Sequence, residues 1–140
     1  MKHALKCFAA LALLIAGCTK PAPPPAPSAE PEALSRTVFT KRVENYFEYE
    51  PLRNGKASQV RIHLTDLSDG SPIEKAEVTL DVRPTGSIES VLHTTSKVGK
   101  VAGIYVAQLT VPRAGQYDIE FHIKNEKLDE RLPLSDFKVE

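Results

Sequence analysis

AEVTLDVR, residues 76–83, alternates apolar and polar side chains without a break. Ala76, Val78, Leu80 and Val82 fall on one side, and Glu77, Thr79, Asp81 and Arg83 on the other. Successive side chains of an extended chain point to opposite faces, so this is a strand with one face buried and one in water. Coiled into a helix, the same residues would scatter apolar groups around the whole surface. The period recurs in QVRIHLT (59–65), with Val60, Ile62 and Leu64 inward. YVAQLTV (105–111) places Tyr105, Ala107, Leu109 and Val111 on one side. QYDIEFHIK (116–124) does the same with Tyr117, Ile119, Phe121 and Ile123.

Turn residues separate these runs. Asp69-Gly70 with Pro72, Pro84-Thr85-Gly86, Gly99 and Gly103, Pro112-Arg113-Ala114-Gly115 and the loop Asn125–Asp129 each interrupt the alternation. Strands are predicted near 42–50, 58–65, 76–83, 88–94, 104–111, 116–124 and 130–139. In the last, Leu132 and Leu134 are out of phase with Phe137 and Val139. A bulge near Ser135 restores the phase. Seven short strands in about a hundred residues predict an all-β fold, an immunoglobulin-like antiparallel β-sandwich over residues 36–140. Tyr117 follows a corner at the start of the sixth strand, the position of a tyrosine corner.

The amino-terminal third has a different composition. Residues 1–17 read as an export signal: Lys2 and Lys6, then the apolar run Phe8–Ala16, too short to span a bilayer as a helix. The run ends in Ile15-Ala16-Gly17-Cys18, which resembles the bacterial lipobox. That resemblance implies cleavage before Cys18, lipidation of its thiol, and anchoring in the cell envelope. Thr19 after the cysteine resembles outer-membrane sorting rather than inner-membrane retention. Residues 18–35 then form a Pro/Ala-rich linker with Pro21, Pro23, Pro24, Pro25, Pro27 and Pro31. Such a tract favours extended polyproline II and makes a spacer on the order of 40 Å long.

The other cysteine, Cys7, lies in the signal, so the processed domain is expected to fold without a disulfide. Of the 18 Lys and Arg, Lys2 and Lys6 leave with the signal, and the 18 Asp and Glu give a processed net charge of −2. No basic face suggests nucleic acid. There is no HExxH, GxSxG, processed thiol nucleophile or glycine-rich phosphate loop, so no catalytic residue, cofactor or enzymatic activity is assigned.

Three histidines remain after processing: His63, His93 and His122. His63, Glu120 and His122 are the metal-ligand candidates. His63 and His122 belong to the second and sixth predicted strands, which an immunoglobulin arrangement places in different sheets. Those sheets pack about 10 Å apart, and their outward side chains diverge. Glu120 and His122 share a face but supply only two ligands. In NYFEYE (45–50), Tyr46, Glu48 and Glu50 share the outward phase and form a candidate partner-binding strip. The first predicted strand, RVENYFEYE (42–50), follows the linker, carries Glu44, Glu48 and Glu50 and stops at Pro51. It is expected at a sheet edge.

Two stretches carry a family resemblance. The first runs from Val38 to Val82 and contains Phe39-Thr40, Glu50-Pro51-Leu52, Gly55, Ser58, His63-Leu64-Thr65-Asp66-Leu67, Pro72-Ile73 and Val78-Thr79-Leu80. It resembles the amino-terminal domain of periplasmic adaptor subunits of RND-type efflux systems, the heavy-metal branch above all. The second, GIYVAQLTVPRAGQYDIEF (103–121), fits that domain and also YtkA/FixH-like copper-associated envelope domains. The first resemblance implies a non-catalytic, lipid-tethered module at the periplasmic face of the outer membrane, accessory to efflux, with an adaptor as partner. The second implies the alternative, a small periplasmic metal-handling protein. Such adaptors continue into helical-hairpin, lipoyl-like and barrel domains. This sequence ends at Glu140, so the resemblance implies an accessory domain made as a separate lipoprotein.

Overall fold

The computed structural model describes residues 32–140. The signal, Cys18 and nearly all of the linker lie outside the described residues. Ten strands follow one another: β1 (Leu34–Phe39), β2 (Val43–Tyr49), β3 (Ala57–Asp66), β4 (Ser71–Pro72), β5 (Glu77–Pro84), β6 (Leu92–Thr95), β7 (Lys97–Val98), β8 (Ile104–Thr110), β9 (Gly115–Lys124) and β10 (Asp129–Val139). They form two antiparallel sheets, β1-β2-β3-β8-β7 with β4 paired to β3, and β10-β9-β5-β6. The series β2-β3-β8-β7 against β10-β9-β5 is the A-B-E-D against G-F-C order of an immunoglobulin-like sandwich.

The alternating runs supply the interior. Val60, Ile62, Leu64, Val78, Leu80, Val82, Tyr105, Leu109, Ile119, Phe121 and Ile123 are all buried. Burying each large apolar side chain stabilises the fold by roughly 1.5–3 kcal/mol. Between the layers, Phe47 of β2 meets Phe121 of β9 with ring centroids 4.8 Å apart, and Phe137 of β10 lies 6.3 Å from Phe47. The β9–β10 register shifts between Leu134 and Phe137, and Asp136 takes a φ of 68°. That bulge returns Phe137 and Val139 to the core beside Leu132 and Leu134. Tyr117 donates its hydroxyl to the Arg113 carbonyl at 2.9 Å, completing a tyrosine corner.

Several expectations change. Among the described residues there are ten strands rather than seven. Residues 88–91 are loop, with Ile88 95% exposed. Strand β1 is new and begins at Leu34, two residues inside the expected linker. Its presence also overturns the placement of 42–50 at an edge, because β2 pairs with β1 on one side and β3 on the other. The β1–β2 turn is fixed by Thr40: its N–H donates to the Val43 carbonyl at 2.8 Å, and its Oγ1 accepts from the Arg42 and Val43 amides.

Two polar groups inside the sandwich differ in their satisfaction. The buried Tyr105 hydroxyl donates to the Ile73 carbonyl at 2.9 Å and accepts from the Ala76 amide at 3.1 Å. It thereby fastens β8 to the segment leading into β5. Asn45 is fully buried on the inner side of β2, between Val38 and Leu64 in the register, and neither atom of its amide has a hydrogen-bond partner. An unpartnered buried amide costs about 1–3 kcal/mol. We therefore expect Asn45→Leu to raise unfolding stability by about 1–3 kcal/mol and Tyr105→Phe to lower it by a similar amount. Urea denaturation of the two variants checks both signs. A destabilised Asn45→Leu would contradict the assignment of Asn45 as an unsatisfied group.

Candidate functional site

The outward faces of the two sheets differ. On the second sheet Asp81, Arg83, Glu120, His122, Lys124, Asp129 and Arg131 are paired with neighbouring charged or imidazole groups, while Glu77 and Asp118 have no ion pair among the described residues. Glu120 Oε1 accepts from Arg131 at 2.8 Å and lies 3.6 Å from Arg83. His122 Nε2 meets Asp129 Oδ1 at 2.6 Å, and Lys124 Nζ approaches the other oxygen at 3.6 Å. His93 Nδ1 meets Asp81 Oδ1 at 2.9 Å. The β5-β9-β10 register aligns these groups: Asp81 faces Glu120, and Arg131 faces His122. Two of the three metal candidates, Glu120 and His122, are therefore neighbours engaged with different partners. The third, His63, lies in the other sheet. Among the described residues no group of three or more His, Cys, Asp or Glu is arranged to hold a metal ion.

The first sheet brings His63 to a different place. The β2–β3 register sets Tyr46 directly opposite His63, with ring centroids 5.3 Å apart and planes tilted 58°. Tyr46 donates its hydroxyl to Glu48 Oε1 at 3.1 Å, and Glu48 Oε2 lies 3.8 Å from His63 Nε2. That ring nitrogen is buried and has no hydrogen bond. Tyr46, Glu48 and His63 thus make one half-buried cluster. Glu50 is not in it. Its carboxylate turns to the backbone and accepts from the Gln59 N–H at 3.0 Å, closing the mouth of the β2–β3 hairpin. The chain places Tyr46 and Glu48 outward because Phe47 between them is held in the core. Grouping His63 with them requires the strand register, which the loop at 50–56 sets and the alternation alone does not reveal.

At one end of the sandwich a cleft of about 530 Å³ opens between residues 71–75 and the 125–128 turn. Its polar groups are occupied in shaping it. Arg42 Nη2 reaches Asp66 at 3.3 Å while Arg42 Nη1 donates to the Lys127 carbonyl at 2.7 Å. Asn125 Oδ1 accepts the Lys127 and Leu128 amides, and its Nδ2 donates to the Glu74 carbonyl. The hydroxyl and backbone N–H of Ser68 hold the Asp66 carboxyl below the usual carboxylate range, with Arg42 adding to the effect. The hydrogen bond from His122 does the same to Asp129.

Residues of the adaptor-like stretch are mostly fold-making in this setting. Thr40 caps a turn, Leu52 is buried, Gly55 has a φ of 66°, and Ser58 Oγ donates to the Pro51 carbonyl. No protein-family model matches this chain, and no curated protein or solved structure matches it either.

Two outcomes follow from these pairings. A carboxyl with a lowered folded pKa stabilises the fold above its unfolded pKa of about 3.9, and that contribution is lost as pH falls through the folded value. Asp129→Asn should therefore weaken the protein at neutral pH and shrink its loss of stability below about pH 4, measured by denaturation across pH. Because Glu120 and His122 are engaged by Arg131 and Asp129, titration with Zn²⁺ or Cu²⁺ should give only weak binding, unchanged in His122→Ala. A stoichiometric micromolar site abolished by His63→Ala or His122→Ala would instead establish metal handling.

Proposed function

We propose that this chain is a non-catalytic, lipid-anchored interaction module of the bacterial cell envelope, accessory to an RND-type heavy-metal efflux system. The observation that carries the reading is the contrast between the two sheet faces. Most of the second sheet's outward charges are spent on one another across β5, β9 and β10. On the first sheet, Tyr46, Glu48 and His63 cluster half-buried, with a ring nitrogen left unbonded. Tyrosine contributes large contact area at small entropic cost and is enriched among residues that dominate interface energies. A carboxylate beside it suits a partner surface bearing arginine or lysine.

The sequence supplies the mounting. An export signal ending in Gly17-Cys18 and a proline tract would hold the sandwich away from the outer membrane on its periplasmic side. Tethering raises the effective concentration of a weak binder, so a small contact face suffices. The resemblance of residues 38–82 to the amino-terminal domain of efflux adaptors supports an adaptor as the partner.

A photoreactive residue at Tyr46 should capture a periplasmic adaptor in cells, and one at Lys124 on the opposite face should not. Cys18→Ser should shift the protein to the aqueous phase of a detergent separation and abolish the cross-link. Capture of only lipid or peptidoglycan, with unchanged metal tolerance in a deletion strain, would sink the efflux reading.

A further inference from the structure

Among the described residues the strand orders of the two open sheets end in four outer strands, β1 and β7 in the first and β10 and β6 in the second, and the two-residue β4 is also paired on one side alone. An outer strand exposes unpaired backbone N–H and C=O groups, and proteins guard such edges with shortness, proline, bulges or charge. Three of the four are guarded by shortness, proline or a bulge. Strand β7 has two residues and β6 has four. Strand β10 is long, but Pro133 lacks an N–H, the register breaks between Leu134 and Phe137, and Arg36 Nη1 donates to the Ser135 carbonyl at 2.8 Å. At its end, Glu140 exchanges hydrogen bonds with Leu52 and Asn54.

Strand β1 carries one of these devices, the inward-pointing charge of Arg36, and is neither short nor bulged. Its register with β2 is unbroken over six residues, and it contains no proline. Its one charged side chain, Arg36, leaves the edge to lie over the Phe137 ring, 4.5 Å from the centroid. The Thr40–Val43 hydrogen bond sets the phase of the hairpin. In an antiparallel ladder every second residue bonds its neighbour. Leu34, Arg36 and Val38 therefore give their backbone groups to β2, while Ser35, Thr37 and Phe39 direct theirs away from it. The outward-facing side chains are small or apolar: serine, threonine and Phe39, which is 60% exposed. Leu34 is 46% exposed.

We infer that β1 pairs antiparallel with β1 of a second copy of this chain, about a two-fold axis through Thr37, joining two first sheets into one. The edge is self-complementary in that arrangement. Thr37 faces the partner's Thr37, a favourable cross-strand pair. Ser35 faces the partner's Phe39, whose ring then covers it. Arg36 faces the partner's Val38, so no like charges meet. A foreign strand has no such built-in match of side chains. Pairing also aligns the row His63, Tyr46, Thr37 with its symmetry mate, so the two Tyr46 clusters lie on one continuous face. The inference concerns the edge and does not rest on what that face recognises.

The test uses the full-length chain in detergent micelles, with self-association followed by sedimentation equilibrium. Wild type should pass from monomer to dimer as concentration rises. Thr37→Pro removes a donor that points away from β2, so the β1–β2 ladder should survive while dimerisation weakens on the order of tenfold or more. Thr37→Lys places like charges at the axis and should do the same, with thermal stability of the monomer unchanged. A photoreactive residue at Thr37 should capture a product of twice the monomer mass in cells. Wild type that stays monomeric at every concentration, a dimer equally strong in both variants, or capture at Thr37 of a different protein would each overturn the assignment.

Discussion

The contact of Phe47 with Phe121, centroids 4.8 Å apart, is the junction on which the architecture rests. It joins β2 of one sheet to β9 of the other, and the ring of Phe137 from β10 closes beside it. Both Phe47 and Phe121 are buried. Among the described residues there is no cysteine, so apolar contact of this kind holds the layers together. Truncating such a ring to alanine costs about 3–5 kcal/mol, a large share of a small domain's stability. Strand alternation then carries the consequence outward. With Phe47 fixed inward, Tyr46 and Glu48 must face solvent, and the register with β3 brings His63 beside them.

The two outer faces follow different physics. Ion pairs between exposed side chains each contribute little, typically 0–1 kcal/mol. Their greater effect on the second sheet is to occupy Glu120, His122 and Asp81 with local partners. On the first sheet Glu44, Glu48, Arg61 and His63 face outward with one close pairing, Glu48 with His63 at 3.8 Å, and the adjoining outward positions of β1 are small or apolar. Ser35, Thr37 and Phe39 continue the row of Glu48, Tyr46 and Glu44, and Ile104 lies across from His63. A face that combines aromatic area, two carboxylates and a long edge strand suits contact with another protein. A face whose charges are mostly matched does not.

Much of this sandwich was legible in the alternation. Residues 77–83, 59–65, 105–110 and 116–124 lie in strands with the expected inward residues, Ala76 and Val111 are buried just outside them, and the bulge between Leu134 and Phe137 reconciles the two phases of the last strand. The tyrosine corner was legible because its geometry is local to residues 113–117. Strand β1 was not. LSRTVF has little apolar alternation, and its stability comes from backbone bonds to β2 and from Arg36 on Phe137. Missing it turned an inner strand into an expected edge. Residues 88–91 read as strand from their apolar members, yet Ile88 and Val91 are exposed, and the pairing of β6 begins only at Leu92. At the candidate site, alternation gave the outward phase of Tyr46, Glu48 and His63 separately. Their assembly needed register, and the diversion of Glu50 to the Gln59 amide needed the hairpin's geometry.

If the β1 side of the first sheet is where this domain meets another chain, amide hydrogen exchange along β1 will register the contact. Arg36 and Val38 donate to β2, so their amides should be protected under all conditions. The amides of Thr37 and Phe39 point away from β2. Their exchange should slow toward that of Arg36 as the full-length protein is concentrated or assembled on membranes. Exchange of Thr37 at the rate of an open peptide under every condition, with Arg36 protected throughout, would contradict it.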